Sequence, residues 1–366
     1  MIGGLRNQLG SLMNFMSSLL YRVKRAMRVD HALALPDADT SDDYRRKLQR
    51  ETDIYKDVVN INVLPDIFHY WSHRYLKPML DEYEITSFEQ FFARSLLESA
   101  ERVSADNPVF ISVGVGNCET EVAVARLMVQ AGLKDFTIEC LDINPHMLAR
   151  GKALAEKEGV AEHLAFVEGD FNRWAPQKTY AGAMANQSLH HVLNLEGLFD
   201  GLRKALPADG YLVMHDMIGR NGHMRWPEAY ESVSAFWSEL PLAYRYNRLL
   251  KRQEKVYVNW DCSNEGFEGI RAQDIVPLLL ERFHPRLFIG FANVIDPFID
   301  RAFGHNFDAN AEWDRSFIDR IHQFDEEAFQ SGRLSPTHMV AIMSGASCSN
   351  PRFSRGIGPA TCIRSA

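Results

Sequence analysis

The chain alternates between short, nearly continuous apolar runs and longer stretches in which apolar positions recur every three or four residues. Runs of the first kind, at 108–113, 136–142, 164–168, 180–185 and 210–216, predict strands buried on both faces. Between the first two, Val122, Ala125, Leu127 and Met128 give residues 119–131 one apolar face. Between the fourth and fifth, Leu195, Leu198, Phe199, Leu202 and Leu206 do the same until Pro207 and Gly210 stop the helix. Strands alternating with helices predict an α/β fold with a parallel sheet covered on both faces. Further along, 270–283 and 311–329 have helical spacing, while 286–293 and 338–343 are apolar runs that predict two more strands.

Outside this core the pattern changes. Residues 44–104 are helical in spacing, with Phe68, Trp71, Tyr75 and Leu80 followed by Phe88, Phe91, Phe92 and Leu96, and predict a helical cap over 30–104. Residues 219–264 are aromatic and irregular, with Trp226, Tyr230, Phe236, Trp237, Tyr257 and Trp260; such an insertion either walls a substrate pocket or fills core. A helical insertion over 294–336 separates the last two strands, and 345–366, without periodicity, is expected to be a disordered tail. Residues 1–29 hold no acid, and Leu5, Leu9, Leu12, Met16 and Leu19 alternate with Arg6, Arg22, Lys24, Arg25 and Arg28. That spacing predicts a basic amphipathic helix, which lies on an anionic membrane surface, on its own domain, or on a second copy of the chain as a homodimer.

The first predicted strand, Val109-Phe-Ile-Ser-Val-Gly-Val-Gly116, breaks at two glycines and feeds a helix, and the second closes on Asp142. Gly-x-Gly at a strand end brings bare backbone N–H groups close to a ligand, and an acid ending the next strand accepts both hydroxyls of a ribose. The pair points to a nucleoside cofactor. A dinucleotide fingerprint would place its third glycine at position 119, where Glu119 stands and would repel a pyrophosphate.

Composition narrows the partners. With 46% hydrophobic and 24% charged residues the composition is ordinary for a soluble globular protein, and a formal net charge of −8 disfavours non-specific grip on nucleic acid. Five cysteines without Cys-x-x-Cys spacing suggest neither a zinc site nor a disulfide framework, so the expectation is a cytoplasmic chain without a metal.

In order along the chain, Ile111-Ser-Val-Gly-Val-Gly-Asn-Cys118, Cys140-Leu-Asp-Ile-Asn-Pro-His-Met-Leu148, Val167-Glu-Gly-Asp-Phe171 and Ala185-Asn-Gln-Ser-Leu-His-His191 resemble four segments of the class I S-adenosylmethionine-dependent methyltransferases. The family's first segment is similar to Leu-Asp-Leu-Gly-Cys-Gly-Thr-Gly. Here Ser112 replaces the usual Asp and Cys118 the last Gly. The resemblance implies a Rossmann-like seven-stranded sheet with its last strand antiparallel, and S-adenosyl-L-methionine as cofactor. It implies a binding set of Gly114, Gly116, Asn117, Glu119, Asp142, Ile143, Asp170, Phe171, Asn186 and Gln187, with Asp142 on the ribose and Asp170 on the adenine amine.

Methyl transfer to oxygen needs a group that takes the acceptor's proton, and His190 and His191, with Asp216 closing the fifth strand, are the candidates. His215-Asp216 and His305-Asn-Phe-Asp308 meet no metal-ligand spacing rule. Glu265-Gly-Phe-Glu-Gly-Ile-Arg271 is a compact turn that either closes over the acceptor or only leads into the next helix. The acceptor expected is a small molecule or a glycan or lipid-linked intermediate methylated through oxygen, in the cytoplasm or at the inner face of the membrane. A non-catalytic binding or scaffold protein and a protein methyltransferase are the alternatives.

Overall fold

The computed structural model describes residues 42–54, 64–264 and 266–364. The chain divides into two units, Met1–Gln49 and Arg50–Ala366. The basic helix expected over 1–29 lies outside the described residues, as does Glu265. Helix Asp42–Ile54 runs across the division and is mostly polar, with Tyr44 buried. No helix among the described residues is long and apolar enough to cross a membrane.

The larger unit is built on strands β1 (Val109–Val113), β2 (Thr137–Asp142), β3 (Leu164–Glu168), β4 (Gly182–Asn186) and β5 (Tyr211–Met217), each within two residues of its predicted bounds. A small hairpin, β6 (Tyr246–Asn247) with β7 (Arg252–Gln253), stands apart from the main sheet. β8 (His284–Phe291), β9 (His338–Ser344) and β10 (Arg352–Phe353) complete the sheet in the order β10-β8-β9-β5-β4-β1-β2-β3. β1 to β5 pair in parallel, and β9 runs antiparallel between β5 and β8, as expected of the last of seven strands. The order reverses between β1 and β4, so the ends of β1, β2, β4 and β5 open on one edge at a topological switch point.

Two expectations need correction. First, there is an eighth strand: β10 pairs in parallel with β8. It belongs to the segment expected to be disordered, which instead inserts Ser354, Ile357 and Cys362 into the protein and sends Arg355 to Glu326 and to the Gly290 carbonyl. Single anchors of this kind leave no periodic trace in a sequence. Second, the proposed cap contains a helix of the core, Phe88–Arg102. Its Phe91, Phe92 and Leu96 are fully buried, each worth roughly 1.5–3 kcal/mol. The buried Ser99 hydroxyl donates to the Ala181 carbonyl and accepts the Tyr211 N–H at 2.8 Å, tying that helix to β4 and β5. Of the two readings open for the 219–264 insertion, several of its aromatics take the core one. Trp237 packs edge-on against Phe303 at 4.8 Å, and Phe236 does so against Phe317 and Phe324.

Candidate active site

At the end of β1 the backbone turns through Gly114, whose φ is +71° and whose N–H donates to the Leu141 carbonyl at 2.8 Å. A Cβ there would come within 2.5 Å of the Ser188 Cβ, so only glycine fits. The Gly116 N–H donates to Asp142 Oδ2 and the Asn144 N–H to Oδ1, both at 2.8 Å. Each oxygen of this carboxylate thus holds one short bond and keeps acceptor capacity for a pair of hydroxyls. Burial raises the Asp142 carboxyl above its ordinary value, and the N–H groups of Asn144 and Gly116 oppose that. Asn144 also caps the helix Pro145–Glu158 that follows, so one turn orients both carboxylate and helix.

The other expected cofactor residues divide. The Phe171 ring stands 3.8 Å from where a Gly114 Cβ would be, so the loop after β3 meets the loop after β1. Asp170 accepts the Asn172 N–H through Oδ1 at 2.9 Å and has Arg173 3.7 Å from Oδ2. Asn186 reaches Thr120 at 3.1 Å and lies 3.2 Å from His215 Nδ1, and the Gln187 amide meets the same imidazole at 3.0 Å. Ile143 is half-buried beside Asp142. Asn117, by contrast, accepts from Arg150 Nε at 2.9 Å, and Glu119 is exposed on the first turn of its helix. Cys118, which stands where the last Gly of the family segment is usual, takes the left-handed conformation, φ +56°, and its Sγ is buried against Gly151.

The two histidines after β4 sit in different surroundings. His190 is buried, with Nδ1 2.6 Å from Asp216 Oδ1. Asp216 is itself held by the N–H groups of Ser188 at 2.9 Å and Leu189 at 2.7 Å. Burial pulls the His190 imidazole down, but Asp216 and then Glu268 outweigh it and hold it at about 10. That departs from the expected neutral imidazole, because the ring lies between two carboxylates. His191 Nε2 lies 3.4 Å from Glu268 Oε2, and His223 Nε2 lies 2.7 Å from Oε1. Burial pushes the Glu268 carboxyl up, but its contacts with the imidazoles of His190 and then His223 outweigh that and keep it below the usual carboxylate range. His215 stacks on Phe88 at 4.0 Å, and burial lowers it to about 3. The structure does not join it to Asp216 in a metal site.

Sequence reasoning missed Glu268 as a partner of the histidines, although it singled out the turn that carries it. It also missed His223, Asn172 and Glu121. Buried Asn172 accepts the N–H groups of Leu193 at 2.7 Å and Asn194 at 2.9 Å, clamping the loop after β4 to that after β3. Its only sequence signal is its position after Asp170-Phe171.

Residues 111–214, the stretch that supplies Gly114, Asp142 and the histidines, match the model of a methyltransferase domain family. The chain carries a class I S-adenosylmethionine-dependent methyltransferase domain. Its cofactor is S-adenosylmethionine, and the Asp142 carboxylate beside a glycine turn fits that nucleoside. Two curated proteins are similar over part of the chain. One is a sterol 24-C-methyltransferase of Gibberella zeae, 30% identical over 79 residues that make up 21% of each chain. Another is malonyl-[acyl-carrier protein] O-methyltransferase 2 of Ilyobacter polytropus, 27% identical over 145 residues, 37% of this chain and 54% of that protein. The chain thus spans about a fifth and about half the length of the curated relatives it matches. Among solved structures, a geranyl diphosphate C-methyltransferase from Streptomyces coelicolor aligns over 82% of this chain and 98% of its own, at 11% identity and a TM-score of 0.43.

Proposed function

We propose that the chain transfers a methyl group from S-adenosylmethionine to an oxygen of a small-molecule acceptor. The observation that carries this reading is the placement, at one sheet edge, of the Asp142 and Gly116 contact together with the His190, Asp216 and Glu268 contacts. The cofactor supplies an electrophilic methyl on a cationic sulfonium. Asp142 is assigned to the ribose hydroxyls, with Gly114, Gly116 and Ile143 forming the wall beside it. Asp170 and Phe171 are assigned to the base, and Asn186 and Gln187 to the methionyl end. Asn117 and Glu119 remain in the proposed set through their backbone at the turn. His191 is assigned to activation of the acceptor hydroxyl, with His190 and Asp216 as the residues that position it.

The two curated relatives divide between a C-methyltransferase and an O-methyltransferase. An imidazole and carboxylate cluster favours oxygen, because an oxygen acceptor must shed a proton as the methyl arrives. The experiment is a screen of hydroxylated small molecules, following S-adenosylhomocysteine release. Turnover should depend on acceptor and fall at least about hundredfold in His191→Ala. Transfer that is undiminished in that variant removes the role given to His191, and methylation only at carbon removes the oxygen reading.

A lipid-linked acceptor at the inner membrane face is favoured by the basic amphipathic pattern of residues 1–29. Sedimentation with anionic vesicles should then disappear when those residues are deleted, and persistence in the truncated chain would reject it.

A further inference from the structure

Three imidazoles converge on one carboxylate. His223 Nε2 lies 2.7 Å from Glu268 Oε1, His190 Nε2 lies 3.5 Å from the same oxygen, and His191 Nε2 lies 3.4 Å from Oε2. Ligand atoms of His190, His191 and Glu268 all fall within 4.8 Å of one another. From this geometry we propose that His190, His191 and Glu268, with His223 as a fourth donor, form a binding site for a divalent transition-metal ion, of which Zn2+ is the natural probe. The ion's role toward the acceptor rests on the function proposed above; the binding site itself does not.

Two of the three distances separate an ion site from an ordinary hydrogen-bonded cluster, while His223 is at hydrogen-bond distance from Glu268. Direct N–H···O bonds run from about 2.7 to 3.2 Å. The two longer contacts, at 3.4 and 3.5 Å, exceed that range. They match the separation of roughly 3.3 Å between an imidazole nitrogen and a carboxylate oxygen that share a tetrahedral ion at about 2.0 Å from each. Imidazole with carboxylate is a donor set suited to zinc and its neighbours in the first transition row.

The surroundings are those of a built site. His190 turns its Nδ1 to Asp216 at 2.6 Å, which fixes the ring with Nε2 toward Glu268. Metal-bound histidines regularly have a carboxylate partner of this kind. Asp216 is anchored in turn by the N–H groups of Ser188, Leu189 and Met217 at 2.7–2.9 Å. The donors come from three separate segments: the turn after β4, the turn after β5, and the turn carrying Glu268. The last two are tied together where the Gly222 N–H donates to the Gly269 carbonyl at 2.8 Å. His223 is held at φ +55°, a strained conformation for a residue with a side chain, and that conformation accompanies its approach to Glu268. Asp216 and Glu268 bring two carboxylates to the cluster, and an ion bound at His190 Nε2 takes the place of the proton there, so that a divalent cation balances both. An acceptor oxygen that replaces His223 on the ion becomes its fourth ligand, which narrows the acceptor to a compound with a hydroxyl or carboxylate able to coordinate.

The test is calorimetric titration of the chelator-stripped full-length chain with Zn2+, and separately with S-adenosylmethionine. The proposal expects saturable binding of one ion at micromolar or lower concentration, weakened by roughly a hundredfold or more in Glu268→Gln and in His191→Ala. Cofactor affinity within about threefold of the parent certifies that each variant is folded. No saturable Zn2+ binding by the parent, or equal binding by parent and folded variants, overturns the site. Zn2+ binding without any cofactor binding would leave the site standing and reject the function proposed above.

Discussion

The Ser112 hydroxyl donates to Glu121 Oε1 at 2.7 Å, so the acid that the family pattern has at 112 stands instead on the next helix and reaches back to the same place. Glu121 is wholly buried, and its second oxygen, Oε2, has no hydrogen-bond partner. Burial raises its carboxyl from an ordinary 4.5 to about 7, and the Ser112 hydroxyl only partly opposes that.

The stability consequence follows from the sign of that shift. A carboxyl whose folded value is raised favours the folded state fully below its unfolded value near 4.5, and that contribution is lost as the pH rises toward and through about 7. Glu121→Gln, which cannot ionise, should be more stable than the parent at pH 8 by up to about 3 kcal/mol. The two should converge near pH 4.5. Denaturant unfolding at both pH values checks this; equal stabilities at pH 8 would mean that Glu121 ionises in the fold without penalty.

Gly114 and Gly132 share positive φ, at +71° and +95°, but only at Gly114 would a Cβ meet another atom, Ser188 Cβ at 2.5 Å. Gly132→Ala should cost about 1 kcal/mol from backbone strain alone. Gly114→Ala adds a clash to that strain, so a loss of about 3 kcal/mol and of cofactor binding is expected. Thermal melts of the two variants side by side separate strain from clash.

Asp142→Ala should weaken cofactor binding by about 3 kcal/mol, close to a hundredfold, because it removes the acceptor for the ribose and releases the Gly116 and Asn144 N–H groups. Calorimetry with S-adenosylmethionine reads it, with NADH as the control ligand. Unchanged affinity would move the ribose elsewhere.

Asp216→Asn leaves His190 buried beside a neutral group and replaces one acceptor oxygen with a donor that faces backbone N–H groups. Breaking a buried pair in this way costs roughly 3–5 kcal/mol, so the midpoint of unfolding should drop steeply. A drop of less than about 1 kcal/mol would show that Asp216 holds less of the sheet edge than its contacts suggest.

Much of the site was legible because its chemistry sits at strand ends. Asp142 and Asp216 each close an apolar run, and in a parallel sheet such ends share one edge whatever the helices between them do. Gly114 was legible for a related reason: a turn that passes this close to another loop excludes every side chain. Glu268 was not, because the meaning of a lone acid in an irregular insertion depends on which loop it folds against, and His223 sits 45 residues from it in the chain. The same holds for Ser354 and Cys362, whose burial rests on a sheet edge completed far upstream.

The sequence by itself determined the strand sequence β1 to β5, the antiparallel partner β9, and the cofactor edge, because hydrophobic period and glycine placement are local properties that survive in one dimension. Only the tertiary structure decided that the aromatic insertion is core, that the C-terminal segment adds a strand, and that three histidines share one carboxylate. Those depend on contacts between residues far apart in the chain, whose energies come from burial and mutual geometry that no local pattern records.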